Sequence, residues 1–287
     1  MLPENLRTFL SEHAAKVIAF GVPVDINSSH LKGAEMAPWE IKKMIFHEAG
    51  NPFSESGVDL SCQENFTSAG VLQFRPKSWF EDIEASAGLM MEFNRSPIFI
   101  GGDHSITYPV IKGLAKHIPN LTILHIDAHP DLYHEYQGNK FSHASPFARI
   151  MEEGLVERLI QVGIRSTTAG QREQIKKFGV EVIDMMHWRG VPDLRLDGPL
   201  YMTIDMDGLD PAFAPGVSHP EPGGLTTREV LNLIHQAGPH LIGGDVVEYN
   251  PKCDHNNITA LVAARFVREL AGAMLIGSGP NKWKTKT

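Results

Sequence analysis

Short apolar runs alternate with segments of helical period along almost the whole chain. Runs rich in Ile, Val and Leu predict strands at Val17–Val22, Pro97–Ile100, Leu121–Ile126, Leu159–Val162, Val180–Ile183, Leu200–Ile204 and Leu241–Val247. Most are continuous, as suits strands covered on both faces; a half-exposed strand alternates apolar with polar. Between them, the spacing predicts helices over Pro38–Ala49, Ser78–Phe93, Tyr108–His117, Ala144–Glu153, Thr168–Phe178, Thr226–Gln236 and Ile258–Leu270. Strands and helices in turn argue for a parallel sheet with helices on both sides: an α/β fold, specifically a three-layer α/β/α sandwich. No Ser-, Gly- or Pro-rich stretch divides the chain, so residues 1–287 read as a single domain. Residues 50–77 read as an irregular excursion, because Asn51-Pro52 and Ser56-Gly57 interrupt any period.

Composition narrows the function classes. With 26 Lys+Arg against 34 Asp+Glu the formal charge is −8, and no basic face is available for nucleic acid or an anionic membrane. The chain starts polar and charged where a secretory signal needs an apolar core. The late apolar stretch Ile258–Gly277 carries Arg265, Arg268 and Glu269, so it reads as an amphipathic helix and not a membrane span. Cys62 and Cys253 cannot make a disulfide framework and read as reduced thiols. The expectation is a soluble, cytoplasmic protein. Its acidity is then either solubilising scatter or, in part, carboxylates gathered to hold something positive.

Ligands of open parallel sheets bind at the carboxyl ends of the strands, and polar residues collect after four of the predicted strands. Gly101-Gly102-Asp103-His104-Ser105 ends the first; the glycines permit a tight turn that presents His104, while Asp103 or Ser105 could simply cap the next helix. Asp127-Ala-His129-Pro-Asp131 ends the second, and in extended chain these three side chains share one face. Three ionisable groups at the end of so apolar a strand are costly unless paired or metal-bound. His125, one step out of phase, reads as a core histidine. The third is Asp205-Met-Asp207-Gly-Leu-Asp210-Pro211, with Asp205 and Asp207 on one face and Asp210 placed to fix the following turn. Neighbouring carboxylates raise one another's pKa, and a cation between them removes the conflict.

Together these give four carboxylates (Asp127, Asp131, Asp205, Asp207) and two imidazoles (His104, His129). Six oxygen and nitrogen ligands without a thiolate are too many for one tetrahedral zinc and suit two divalent ions such as Mn²⁺, with Ni²⁺ and Co²⁺ sharing the preference. Two such ions about 3.5–4 Å apart can activate a shared water as hydroxide. After the fourth strand comes Glu248, a carboxylate spare to this set, able to receive a planar guanidinium through two parallel hydrogen bonds or simply to cap or face solvent.

The segments GGDHS, DAHPD and IDMDGLDP resemble the three signatures of the ureohydrolase family of arginases, agmatinases and related guanidino hydrolases. The likeness runs from NSSHLKGAEMAP to DVVEYNP. It implies a parallel sheet of about eight strands, a trimer or hexamer, and a dinuclear manganese site. It also implies that His104, Asp127, Asp131 and Asp205 hold one ion and Asp127, His129, Asp205 and Asp207 the other. The family's proton-shuttling histidine matches His143, and its guanidinium-facing carboxylate matches Glu248. DAHPDLYH and DPAFAPGVSHPEPGG look most like plant-type arginases, with Val217, Ser218 and His219 where many relatives carry small residues. His219 is open between substrate contact and loop packing.

The expected activity is hydrolysis of a small cationic guanidino compound to urea and an amine. Agmatine stands ahead of L-arginine, guanidino acids and guanidine, because no hydroxyl- and amide-rich loop for an α-carboxylate follows Asp131. The competing expectations are a metal-binding relative without activity and a single-ion zinc deacetylase of similar fold.

Overall fold

All seven predicted strands are present in the computed structural model, which describes residues 3–283 apart from positions 49, 76 and 278. In chain order the strands are β1 (Val17–Gly21), β2 (Phe66–Val71), β3 (Ser96–Ile100), β4 (Thr122–Ile126), β5 (Arg158–Ile164), β6 (Glu181–Asp184), β7 (Leu200–Asp205) and β8 (Leu241–Val247). The helices are α1 (Pro3–Glu12), α2 (Ala37–Ile45), α3 (Trp79–Glu92), α4 (Thr107–Ala115), α5 (Pro146–Glu152), α6 (Ala169–Phe178), α7 (Thr227–Ala237) and α8 (Ile258–Ile276). The predicted helix end at Ala49 lies outside the described residues.

The strands form one all-parallel sheet in the order β2-β1-β3-β8-β7-β4-β5-β6. Side chains alternate across it. Val17, Ala19, Ile98, Ile100, Leu124 and Ile126 meet α2, α7 and α8 on one face. Ile18, Phe20, Phe99, Ile123 and Tyr201 meet α1, α3, α4 and α5 on the other, with Ile175 and Phe178 of α6 packed alongside. Two helices are started by capping boxes, Thr168 with Gln171 and Thr226 with Glu229, which satisfy amides that the first turn leaves without partners.

Two elements depart from the expectation. The excursion at 50–77 contains β2, a sheet edge of sequence FTSAGV whose partly exposed Thr67, Ser68 and Gly70 hide it from an apolar-run criterion. The polar start contains α1, which buries only Leu6 and Leu10. No helix of the described residues is long and apolar enough to cross a membrane.

Candidate active site

The four central strands β3, β8, β7 and β4 bring the polar segments together at their carboxyl ends. After β3, Gly102 donates to Val22 O, and Asp103 N donates to Val24 O at 2.7 Å. A Cβ on Gly102 would stand 1.8 Å from Val24 O, so only glycine fits this turn. Asp103 caps the following 3-10 turn by accepting from Ser105 N. His104 is thereby delivered fully buried, with its Nε2 2.9 Å from Thr203 Oγ1.

Its Nδ1 faces three carboxylate oxygens: Asp127 Oδ2 at 3.2 Å, Asp131 Oδ2 at 3.1 Å and Asp205 Oδ2 at 3.2 Å. None of these contacts has hydrogen-bond geometry, and Nδ1 is a buried polar atom without a partner. A second group lies beside the first, where His129 Nδ1 is 3.5 Å from Asp127 Oδ1 and 3.2 Å from Asp207 Oδ2. Asp127 therefore offers one oxygen to each group. Asp205 gives Oδ2 to the first group and accepts the Asp207 N–H on Oδ1 at 2.8 Å.

These side chains do not converge by strand alternation. β4 ends at Ile126, and Asp131 sits at φ 50°, in the left-handed region that Asp tolerates better than most residues. β7 ends at Asp205, and Asp207 lies in a 3-10 turn. Turns immediately past the strands do the gathering. His125 is a buried core histidine stacked on Phe147, as expected, but it also lies 2.7 Å from Asp127 Oδ2, and Gln161 lies 3.0 Å from its other nitrogen. Asp210 fixes its turn through Ala212 N, Gly223 N and Gly224 N.

Charge is unbalanced within this group. Burial, then the charge of Asp127, raises Asp131 and Asp207 to about 6. Burial and both neighbouring carboxylates push Asp205 well above the ordinary range. Burial opposes a charged His104, but the three carboxylates around its Nδ1 win and hold its pKa well up. A small divalent ion suits the arrangement: cis ligands of an octahedral ion with bonds of about 2.1 Å stand about 3 Å apart, close to the spacings around His104 Nδ1. The donors are imidazole and carboxylate throughout.

Glu248 follows β8 at φ 63°. Its buried Oε1 accepts from His104 N at 2.8 Å and lies 3.0 Å from His143 Nδ1, while its Oε2 has no partner. His143 is buried and not the solvent-facing loop residue a lone histidine suggests; its Nε2 lies 2.8 Å from Ser29 Oγ and accepts from Ser29 N at 3.2 Å. Burial opposes its charge, but Glu248 prevails and lifts it to about 9. The Ser29 N–H opposes that proton, yet a full carboxylate charge outweighs one amide dipole. Asn27 holds the same loop, accepting from His143 N and Asn139 Nδ2.

A cavity of about 210 Å³ opens over Asp131, Asp205, Asp207, His143 and Glu248. Its remaining wall includes Ser29, Tyr133, Tyr136, Ser166, Thr168 and Gln171, drawn from three separate segments that no local motif links. Arg165 was equally invisible in sequence; its guanidinium donates to the carbonyls of Gly163, Asp207, Gly208, Leu209 and Glu221, tying down the loop after β7.

The sequence profile described as the arginase family matches residues 15–272. The chain belongs to that family. The mitochondrial arginase of Medicago truncatula is 43% identical over 91% of this chain and 82% of its own length. A solved arginase from the same plant matches with a TM-score of 0.84 at 40% identity, covering 95% of this chain and 96% of that one. Arginase 2 of Arabidopsis thaliana, chloroplastic or mitochondrial by name, is 44% identical over 91% of this chain and 81% of its own length. An agmatinase of Bacillus cereus is more distant, 30% identical over 92% of this chain and 95% of its own length. As an arginase-family member, the chain is a hydrolase acting on guanidino carbon–nitrogen bonds.

These relatives overturn the cytoplasmic expectation, since the Medicago truncatula and Arabidopsis thaliana arginases, each matched over 91% of the chain, are organellar by name. Unpaired cysteines separate reducing from oxidising compartments and carry no information that tells cytosol from organelle.

Proposed function

We propose that the protein hydrolyses L-arginine to L-ornithine and urea, with two Mn²⁺ held by His104, Asp127, His129, Asp131, Asp205 and Asp207. Ni²⁺ and Co²⁺ suit the same donors. The placement of Glu248 carries the reading. It is a buried carboxylate with a free oxygen beside the carboxylate–imidazole group, and it lines the same cavity. Bound there, such ions would supply a water of lowered pKa as nucleophile at neutral pH.

The chain's own residues do the rest. Glu248 receives the guanidinium and fixes its plane, so that the carbon faces the ligand cluster. His143, held between Glu248 and Ser29 with its pKa raised, carries a proton to the departing nitrogen. Without that proton, an amine anion would have to leave. Arginine takes precedence over agmatine, reversing the order drawn from the loop after Asp131. Arginases at 43–44% identity against an agmatinase at 30% support this, as do the hydroxyls and amide of Ser29, Tyr133, Ser166, Thr168 and Gln171 around the cavity.

The test is urea release by the Mn²⁺-loaded protein from arginine, agmatine, guanidinobutyrate and guanidine. Arginine is expected to have the highest kcat/KM. A higher value for agmatine overturns the substrate, and no urea from any of them while metal is bound overturns the reaction.

A further inference from the structure

We propose that His143, His219 and Glu248 form a third metal site, selective for Zn²⁺ or Cu²⁺ over Mn²⁺, whose occupation excludes the substrate's guanidinium. The inference rests on Glu248 being the guanidinium acceptor. One ligand atom from each of the three residues lies within 4.8 Å of those of the other two. His143 Nδ1 and Glu248 Oε1 are already 3.0 Å apart, close to the spacing of two neighbouring ligands on one ion. Glu248 Oε2 is buried and has no partner. The His219 ring is 5.1 Å from the His143 ring, centroid to centroid, and its nitrogens make no hydrogen bond among the described residues.

The loop that presents His219 is fixed. Ser218 Oγ donates to Leu31 O at 2.9 Å and accepts from Asn250 Nδ2 at 3.0 Å, and Val217 pairs with Tyr249. The three ligand atoms, within 4.8 Å of one another, must draw closer to share one ion. Two imidazoles and one carboxylate with a fourth position open is a recurrent zinc donor set. The inner groups are different in kind, with one imidazole among several carboxylates. Carboxylates suit Mn²⁺, whereas imidazole-rich sets suit Zn²⁺ and Cu²⁺, which also bind more tightly at equal geometry. Binding replaces the proton between His143 Nδ1 and Glu248 Oε1, which goes to solvent. The ion then occupies the carboxylate that would take the guanidinium, so zinc inhibition should be competitive.

The experiment titrates Zn²⁺ into Mn²⁺-loaded protein and follows metal content and arginine hydrolysis together. The expected result is one zinc per chain added with manganese retained, and an apparent KM that rises with zinc at constant kcat. In His219→Ala and His219→Gln, each compared with its own zinc-free rate, the inhibition constant should rise about tenfold or more and the added zinc should be lost. Manganese leaving as zinc enters, or an inhibition constant unchanged in both variants, overturns the proposal. If no guanidino compound is hydrolysed, the functional reading fails by itself, and zinc stoichiometry in native and His219-substituted protein still decides the third site.

Discussion

Asp131→Asn should make the metal-free protein more stable while weakening its hold on metal. Asp131 is buried, and burial followed by the charge of Asp127 raises its pKa to about 6, in spite of the contact with His104. An acid whose folded pKa lies above its unfolded value of about 3.9 binds its proton more tightly when folded. The resulting penalty is absent below the unfolded pKa, grows as pH rises between the two values, and is complete above about 6. Two units at 1.36 kcal/mol each give an upper limit of about 3 kcal/mol at pH 7.5, and roughly half of that at pH 5. Asparagine removes the charge and accepts the left-handed backbone at φ 50°. At roughly 2 °C per kcal/mol for a chain of this size, the Tm of the EDTA-treated variant should exceed that of the EDTA-treated native protein by about 6 °C at pH 7.5, with the gain about halved at pH 5. Added Mn²⁺ should reverse the order, because the native protein gains more from the ion. Thermal unfolding followed by circular dichroism reads all of this. A variant no more stable than native protein at pH 7.5, or a gain independent of pH, refutes the idea that carboxylate repulsion is held in this site for the sake of an ion.

His143→Asn should lower kcat by about 10²- to 10⁴-fold with little change in KM, measured by initial rates on Mn²⁺-loaded protein, since it removes the proton carrier and leaves Glu248 in place. Glu269→Ala should cost about 2–3 kcal/mol in urea unfolding, because this buried carboxylate accepts from Glu55 N at 2.8 Å and pairs with His235 and Arg265; an unchanged midpoint would show the network to be ornamental. Gly102→Ala should yield little soluble protein, as backbone facing a new Cβ at 1.8 Å cannot relax as a side chain would.

Buried strands were legible in the sequence because burial on both faces leaves unbroken apolar runs, and β4, β7 and β8 are buried along their whole length. β2 was not, because an edge strand needs no such run. α8 extends to Ile276 beyond its predicted end at Leu270, since Ala271, Gly272 and Ala273 carry weak helical period yet pack against the core or, for Gly272, against the Ser54 side chain. The proposed ligand residues were singled out by their chemistry at strand ends, and the structure gathers them by turns past the strands and not by alternation along a strand. The cavity wall could not be foreseen, because Ser29, Tyr133 and Thr168 become neighbours only through the sheet order.

That order also sets a schedule. β7 and β8 occupy the middle of the sheet but come last in the chain, so a growing polypeptide can first assemble β2-β1-β3 and β4-β5-β6 as two separate ribbons. Until the final third is made, β3 and β4 each present a bare inner edge, the kind of surface on which strands of other molecules pair. Two of the six proposed ligands, Asp205 and Asp207, and Glu248 arrive with the insertion that closes this gap. On the proposed ligand set, metal capture would follow that insertion, and a chain cut short before residue 200 keeps His104 and Asp127 on pieces of sheet that have nothing between them to hold them together.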